Sequence, residues 1–203
     1  MSAWQSVVSQ FKQPHGPLGH LAGWIMATRP SNLERNDWTI DLLAIEPHHR
    51  VLEIGFGPGY AVAQIASRLT SGQIVGIDHS EVMLKQAQRR NAGAIRLGRV
   101  KLLCQSVADL KRLDGRFDRV FSANVAQFWD DRVSIFSEIL RLLAPKAKVA
   151  TTFQPRLPKA TDQDAVRFAE LVLEEMKAAG FPSVRLEYGP RVPVLTISAI
   201  GEI

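Results

Sequence analysis

Residues 51–60, with the sequence VLEIGFGPGY, are the most informative stretch of the chain, because a short apolar run ends in a glutamate and then opens into a glycine-rich turn. A second apolar run, Ile74–Asp78, ends in an aspartate nineteen positions after Gly59. Glycine is needed where the backbone turns tightly or lies against a ligand, and an acid at the tip of the next parallel strand can accept hydrogen bonds from a ribose diol. Together the two stretches predict a nucleoside-containing cofactor.

The residues around the glycines favour one class of nucleoside cofactor. A dinucleotide fingerprint would have a third small residue at position 60, where this chain has Tyr60. Glu53 would face and repel a pyrophosphate, because like charges at short range are costly in a partly buried site. The same carboxylate suits S-adenosylmethionine, which carries a sulfonium, an ammonium group and a ribose diol. Glu53 near the methionine end and Asp78 at the ribose match those charges.

With these residues the chain resembles the class I S-adenosylmethionine-dependent methyltransferases. Val51–Gly59 is similar to the first motif of that family, and Asp78 is similar to its ribose-binding acid. Three later segments resemble the third, fourth and fifth strands in order: VKLLCQSVADL (100–110), FDRVFSAN (117–124) and LRLLAPKAKVATTF (140–153). The resemblance implies S-adenosylmethionine as cofactor and S-adenosylhomocysteine as product, but it names no acceptor, since one fold hosts many substrates.

Strand and helix patterns alternate along the chain, which predicts an α/β fold with a doubly wound, Rossmann-like sheet in a three-layer αβα arrangement. Strands are expected at 50–54, 74–78, 100–105, 117–122 and 147–153, and helices at 60–70, 80–91, 131–143 and 162–179. The final segments, 184–188 and 194–200, resemble the terminal hairpin of the family. We therefore expect a seven-stranded sheet with an antiparallel last strand.

Residues 1–48 precede the expected methyltransferase core at 49–203, within what we predict to be a single domain, 1–203. Helices are expected at 21–28 and 33–44, separated at Arg29-Pro30 because proline interrupts a helix. An N-terminal addition of this kind is expected to form a helical lid, since the cofactor edge of the sheet must be covered to exclude water. Packing of the same helices on the edge of the sheet is an equally good interpretation.

Composition excludes several classes of protein. The chain has 203 residues, 46% of them hydrophobic, which is enough for a sizeable core. No apolar run is long enough to span a bilayer, and the first twenty residues lack the apolar core of a signal peptide, so a cytoplasmic location is expected. The net charge of +5 comes from scattered basic residues, which does not favour a nucleic-acid partner.

The single cysteine, Cys104, cannot form an internal disulfide or a cysteine-based metal site alone, and no metal is predicted. We expect it to be a buried small residue in the middle of a strand. It follows Leu103 rather than a proline, which excludes cytosine C5 chemistry. Methyltransferases that act on base amino groups resemble one another in having Pro-Pro and an aromatic residue after the position that Asn124 occupies here. Asn124 is followed instead by Val125-Ala126-Gln127, so the chain does not resemble that subclass.

The cofactor site is expected to combine the glycine turn with side chains at the ends of later strands. Gln105-Ser106-Val107 stands where the family frequently has Gly-Asp-Ala, so the usual adenine-binding aspartate is replaced. The Ser106 hydroxyl and the Val107 amide can still make hydrogen bonds. Asn124 would place backbone near the methionine. The full set of predicted cofactor-binding residues is Glu53, Gly55, Gly57, Gly59, Asp78, His79, Met83, Ser106, Val107 and Asn124.

The implied reaction is an in-line displacement in which an acceptor oxygen, nitrogen, sulfur or carbon attacks the sulfonium methyl group. The sequence identifies no catalytic residue. His15 and His20 are candidate bases, since histidine titrates near neutrality, although each also fits an ordinary turn histidine. Phe56, Tyr60 and Phe128 are the best candidates for an apolar acceptor pocket, because they lie on loops at the carboxyl edge of the sheet. These aromatic residues predict a small, partly apolar or lipid-like acceptor.

Three alternatives remain open at this point. A nicotinamide oxidoreductase would need the glycine turn to accept a pyrophosphate, which Glu53 and Tyr60 oppose. A protein that binds S-adenosylmethionine without turnover fits the altered adenine position and the missing base. An RNA or protein methyltransferase would need an extended acceptor surface, for which this chain has little room. The sequence does not predict the oligomeric state.

Overall fold

A seven-stranded sheet flanked by helices forms the computed structural model, which describes residues 30–156, 159–191 and 193–203. The strands are β1 (Arg50–Ile54), β2 (Gln73–Asp78), β3 (Val100–Cys104), β4 (Phe117–Ala123), β5 (Leu143–Phe153), β6 (Ser183–Arg191) and β7 (Leu195–Glu202). The α-helices are α1 (Pro30–Leu42), α2 (Tyr60–Arg68), α3 (Glu81–Arg90), α4 (Ala92–Arg96), α5 (Arg132–Arg141) and α6 (Asp162–Ala178). Short 3-10 helices follow β3 and β4, at Val107–Arg112 and Ala126–Phe128.

The strands lie in the order β3-β2-β1-β4-β5-β7-β6. Neighbours among β1 to β5 pair in parallel, whereas β7 is antiparallel to both β5 and β6. This confirms the predicted fold class and its antiparallel last strand. The order of the strands reverses between β1 and β4, which places a crevice at the carboxyl ends of those two strands.

Two hydrophobic cores lie on opposite faces of the sheet because side chains alternate along each strand. Leu52 and Val120 face one core, which α5 and α6 cover. Val51 and Phe121 face the other, which α1, α2 and α3 cover. The three layers explain why the central strands are buried on both faces and read as nearly continuous apolar runs.

Several element boundaries differ from the sequence-based expectation. The first described helix begins at Pro30 rather than residue 33, because the fixed φ of proline suits the first helical position. Helix α5 ends at Arg141, and β5 begins at Leu143 rather than residue 147. Lys146 has a φ of 64°, and the pairing of β5 with β4 shifts in register near Phe117, so this part of β5 is irregular. The expected helix at 21–28 lies outside the described residues.

Ser80 caps α3, its side chain accepting a hydrogen bond from the Met83 amide at 3.4 Å. Helix α6 begins with a capping box formed by Thr161 and Asp164. Within the described ranges, none of the helices combines the length and the apolarity that crossing a bilayer would require.

Candidate functional site

The glycine turn after β1 lies at the crevice and approaches two neighbouring elements closely. A Cβ at Gly55 would lie 2.5 Å from Cγ1 of Val125, which follows β4, and the φ of Gly55 is +80°. A Cβ at Gly59 would lie 2.7 Å from the Cβ of Ala87 in α3. Both positions therefore need glycine so that the turn can pack on β4 and α3.

Gly57 differs from its neighbours, since a Cβ built on it would meet nothing within 4 Å. Its φ is +50°, a left-handed conformation that side chains rarely adopt. Gly57, which faces open space, therefore lies between Gly55 and Gly59, which pack against neighbouring elements. Backbone that faces open space at the carboxyl end of a strand is suited to lie against a ligand.

Asp78, at the end of β2, holds the glycine turn in place. Its Oδ2 accepts a hydrogen bond from the Gly57 amide at 2.9 Å, and its Oδ1 accepts one from the Ser80 amide at 2.9 Å. Burial raises the pKa of this carboxyl, while the two amide hydrogen bonds and His79 oppose the rise. A carboxylate that accepts backbone amides retains lone pairs for further donors, so Asp78 can hold the turn and still accept hydrogen bonds from a diol.

Glu53 is the most unusual acid of the site. It is only 3% exposed, and its Oε2 has no hydrogen-bond partner in the described structure. Burial, with a further contribution from the nearby charge of Asp78, raises its pKa to about 8. A buried acceptor without a donor is destabilising, and burial of charge favours the neutral form. A cationic ligand at the crevice would supply the missing donor and restore the charged carboxylate.

The residues predicted to lie near an adenine are distributed around the end of β3. His79 is exposed, with its Nδ1 3.8 Å from Asp78 Oδ1. Met83 is buried in the core on the α3 side. Ser106 is exposed and caps the following 3-10 helix through its hydroxyl, and Val107 begins that helix half-buried. None of these contacts tests binding of adenine, so their role stays a prediction.

Cys104 does not have the environment expected from the sequence. It is exposed, and it ends β3 instead of lying in the middle of a strand. The expectation of burial was wrong because β3 is the edge strand of the sheet and its side chains have no neighbouring strand on one side. The Cys104 thiol contacts the His79 carbonyl at 3.6 Å.

Asn124 joins the ends of β4 and β5 through a reciprocal pair of hydrogen bonds. Its Nδ2 donates to the Gln154 carbonyl at 2.8 Å, and its Oδ1 accepts from the Gln154 amide at 2.7 Å. The backbone of Asn124 has a φ of 56°, which asparagine tolerates better than most residues. Gln127 donates to the Asn124 carbonyl at 2.9 Å. Asn124, Gln127 and Gln154 therefore form a hydrogen-bonded polar corner beside Gly55.

Sequence reasoning missed a group of polar residues over the end of β5. Arg35 in α1 donates from Nη1 to Asn32 at 3.2 Å and to Gln154 at 3.4 Å. Arg156 donates to Ser31 at 3.0 Å and also to Asn32. Three of these four contacts join residues more than a hundred positions apart, and Arg35 is an ordinary helical residue by pattern, so no local signal could have identified the group.

The three aromatic candidates have different environments. Phe56 is buried in the core covered by α2 and α3. Its ring packs so closely on Gly76 that a Cβ there would clash with it. Tyr60 begins α2 and donates its hydroxyl to Asp37 of α1, at 2.9 Å and 3.0 Å from the two carboxylate oxygens. Phe128 is exposed. Tyr60 and Phe128 are thus nearer to solvent than Phe56, and contact with an acceptor stays a prediction for each.

His15 and His20, the candidate bases, lie outside the described residues. In the described ranges, one group of side chains has the spacing of metal ligands: Glu46, His48 and His49, within 4.8 Å of one another. It precedes β1, at the opposite end of that strand from the crevice. It therefore has no part in the chemistry of the crevice.

Comparison with known proteins connects this geometry to a family. Residues 51–146 match the model of a methyltransferase domain. The chain is 35% identical over 182 residues to the uncharacterized methyltransferase YdaC of Bacillus subtilis, an alignment that covers 90% of this chain and 97% of that protein. It is 30% identical to the malonyl-[acyl-carrier protein] O-methyltransferase of Halorhodospira halophila, over 75% of this chain and 57% of the relative.

A solved methyltransferase structure is similar to this chain in fold. The N-methyltransferase NodS from Bradyrhizobium japonicum, in complex with S-adenosylhomocysteine, has a TM-score of 0.66 and 18% identity to this chain. The match covers 88% of this chain and 90% of that one. At this identity the likeness concerns the fold alone.

Proposed function

The chain belongs to the class I S-adenosylmethionine-dependent methyltransferases, and from this premise we propose that it transfers a methyl group from S-adenosylmethionine to a small acceptor. The observation that carries the proposal is the pair of buried carboxyls, Glu53 and Asp78, on either side of a left-handed glycine turn that is open at Gly57. The expected cytoplasmic location and the organisation as one domain, with residues 1–48 as a lid, belong to the same proposal.

Asp78 would bind the ribose of the cofactor. Its two oxygens already accept the Gly57 and Ser80 amides, which fixes the orientation of the carboxylate before a ligand arrives. Each oxygen can accept a further hydrogen bond from a hydroxyl. A preoriented acceptor loses little entropy on binding, which supports a role for Asp78 in affinity.

Glu53 would bind the cationic methionine part of the cofactor. Its Oε2 is buried without a donor in the described structure, and a ligand ammonium group would provide one. Because burial holds the pKa of Glu53 at about 8, the carboxyl is largely protonated at neutral pH without a ligand. Binding of a cation favours the ionised form, so the proposal includes release of a proton from Glu53.

S-adenosylmethionine, when bound, supplies a methyl group already activated by a positively charged sulfur. The task of the chain is then to position the acceptor, exclude water and, for a hydroxyl or ammonium acceptor, receive a proton. The corner formed by Asn124 and Gln154 lies beside Gly55 and provides a rigid wall for the acceptor. His15 and His20 stay candidate bases.

The acceptor atom is not fixed by family membership. The Halorhodospira relative is named as an O-methyltransferase and the Bradyrhizobium structure as an N-methyltransferase. Two alternatives to methylation of a small molecule remain. One is binding of S-adenosylmethionine without turnover, and the other is methylation of RNA or protein.

Transfer of a labelled methyl group tests the proposal. Purified protein is incubated with methyl-labelled S-adenosylmethionine and panels of small alcohols, acids, amines and thiols, and formation of S-adenosylhomocysteine is measured. We expect turnover with a small acceptor, loss of that turnover in Asp78→Asn, and full turnover in Asp109→Asn, because the half-buried Asp109 pairs with the exposed Arg112. Cofactor binding without S-adenosylhomocysteine would favour the binding protein, and label in RNA or protein would favour the macromolecular acceptor.

A further inference from the structure

A buried arginine lies beside the crevice without the counter-ion that such a residue normally has. Arg35 is 6% exposed, and its Nη1 donates hydrogen bonds to the side-chain oxygens of Asn32 and Gln154. Its Nε is buried and has no hydrogen-bond partner in the described structure. Nε lies on the edge of the guanidinium from which arginine binds carboxylates with two parallel hydrogen bonds.

The charge of Arg35 is not neutralised by the chain itself. All 20 aspartates and glutamates of the sequence fall within the described ranges, and none of them forms an ion pair with Arg35. Arg132 provides a contrast, since it is partly buried and makes two hydrogen bonds to Glu175, at 2.6 Å and 2.8 Å. Burial of a charge without a partner is costly, and an anion bound at this place would offset that cost.

Arg156 adds a second positive charge to the same place. It shares the acceptor Asn32 Oδ1 with Arg35. Burial and the charge of Arg156 lower the pKa of Arg35 to about 9, which leaves Arg35 charged at neutral pH. Two guanidinium groups that share one neutral amide oxygen form a positive site for an anion.

A short chain of contacts joins Arg35 to the glycine turn. Gln154, which accepts from Arg35, is hydrogen-bonded to Asn124 through its own backbone. Val125, the next residue after Asn124, packs against Gly55. The guanidinium therefore lies at the β4 and β5 end of the crevice, away from the ribose acid Asp78, where the acceptor and not the nucleoside would enter.

We propose that Arg35, assisted by Arg156, binds a carboxylate group of the methyl acceptor, and that the substrates are small carboxylic acids. This inference rests on the proposed methyltransferase function. The Nε edge of Arg35 binds the carboxylate, and Asn32 and Gln154 hold the guanidinium plane in position. Arg35 is then a specificity residue that selects anionic acceptors over neutral ones of the same shape.

Thermal unfolding of the full chain with S-adenosylhomocysteine present tests this assignment. Acetate, succinate, glutarate and benzoate are each compared with the matching amide, and with inorganic phosphate, at constant ionic strength. We expect at least one acid to raise Tm while its amide does not. In Arg35→Met the apparent affinity for that acid should fall at least about tenfold, as expected for loss of a charged hydrogen bond.

Two variants separate binding from folding. Arg99→Gln removes another partly buried arginine, one that hydrogen-bonds the carbonyls of Ala66 and Leu69 far from the crevice, and it should keep the response to the acid. Without ligand, Arg35→Met should be at least as stable as the wild type, since it removes a buried charge that has no counter-ion. If Arg35 has only a structural role, Arg35→Met should instead have a lower Tm than the wild type.

The proposal is overturned if no acid raises Tm, if amides act as strongly as acids, if phosphate acts more strongly than every acid, or if Arg35→Met responds like the wild type. Failure of the methyltransferase assignment has a different signature. In that case S-adenosylhomocysteine alone would not stabilise the wild type, and titration of the acids without it would still decide the role of Arg35.

Discussion

The two sides of the crevice differ in how their polar groups are satisfied. On the β2 side, both oxygens of Asp78 accept backbone amides, from Gly57 and Ser80, and the turn is complete without a ligand. On the β5 side, Arg35 keeps a buried Nε without a partner in the described structure. The β2 side is thus preorganised for one cofactor, whereas the β5 side is incomplete until an acceptor binds.

Glu53 lies between these two sides and shares a property with each. Like Asp78 it is a buried carboxyl at the glycine turn, and like Arg35 it has a buried polar atom without a partner in the described ranges. Substitutions on the two sides should therefore have different consequences. Those on the β2 side should weaken cofactor binding, and those on the β5 side should change stability or acceptor selection.

The largest effect is expected from a side chain placed in the open space at Gly57. Gly57→Val should weaken S-adenosylmethionine binding at least about a hundredfold, or roughly 2.7 kcal/mol, because its side chain would occupy the ligand position. Gly98→Val is the matched control, since Gly98 also has a positive φ, +72°, and open space around it. Calorimetric titration should show normal affinity in the control. Equal losses in both variants would mean that backbone strain, and not the ligand, explains the effect.

Asn124 provides the second test, on the opposite side of the crevice. Asn124→Ala removes the two hydrogen bonds with Gln154 and leaves an alanine at a positive φ, so the free energy of unfolding should fall by about 2–3 kcal/mol. Asn124→Gly loses the same hydrogen bonds but accepts the backbone conformation, and should recover roughly 1 kcal/mol of that loss. Urea unfolding measures both. Equal stabilities of the two variants would show that the positive φ contributes nothing.

The third test uses the raised pKa of Glu53. A carboxyl whose pKa rises from 4.5 unfolded to about 8 folded holds its proton more tightly in the folded state, so the folded protein loses stability as pH rises between these values. Glu53→Gln has no such loss. Urea unfolding at several pH values should show the variant gaining stability relative to the wild type across that window, with no further change above it.

A rise in pH should have the opposite effect on cofactor binding, which should become stronger as Glu53 ionises. Because a cationic ligand favours the ionised carboxyl, the affinity of the wild type for S-adenosylmethionine should increase as pH rises toward about 8. Glu53→Gln should bind more weakly and without that pH dependence. Tighter binding by the variant than by the wild type at alkaline pH would contradict the role given to Glu53.

The smallest effect is expected at the contact between α1 and α2. Tyr60→Phe removes the hydroxyl that donates to Asp37, which should cost about 0.5–1.5 kcal/mol. Burial and this hydrogen bond raise the pKa of Tyr60, so its titration should move toward the ordinary value in Asp37→Asn. Tyr188→Phe is the control, because Tyr188 is largely exposed. Equal stability of the Tyr60 variant and the control would exclude a structural role for this contact.

The same comparison explains what could be predicted from the sequence. The β2 side is encoded locally, since Asp78 lies 21 positions from Gly57 and 2 from Ser80. Apolar runs, glycine spacing and a strand-end acid identify such a site, and they also predict the seven strands of the sheet. The boundaries of β5 were less predictable, because Pro145 and the left-handed Lys146 interrupt its pattern without ending the strand.

The β5 side is encoded by contacts between distant segments. Arg35 and Gln154 are 119 positions apart, and neither belongs to a recognisable pattern. Their contact depends on how α1 packs over β5, which is a property of the tertiary structure. For Cys104, burial was mispredicted for a similar reason, since the position of β3 at the edge of the sheet follows from strand order.

The most direct test of the central claim is calorimetric titration of S-adenosylmethionine, with NADH as the competing ligand, onto the wild type, Asp78→Asn and Asp109→Asn. S-adenosylmethionine should bind to the wild type, Asp78→Asn should lose about 1.5–3 kcal/mol of binding free energy, and Asp109→Asn should match the wild type. Binding of NADH alone, or undiminished binding of S-adenosylmethionine by Asp78→Asn, would contradict the assignment of the crevice.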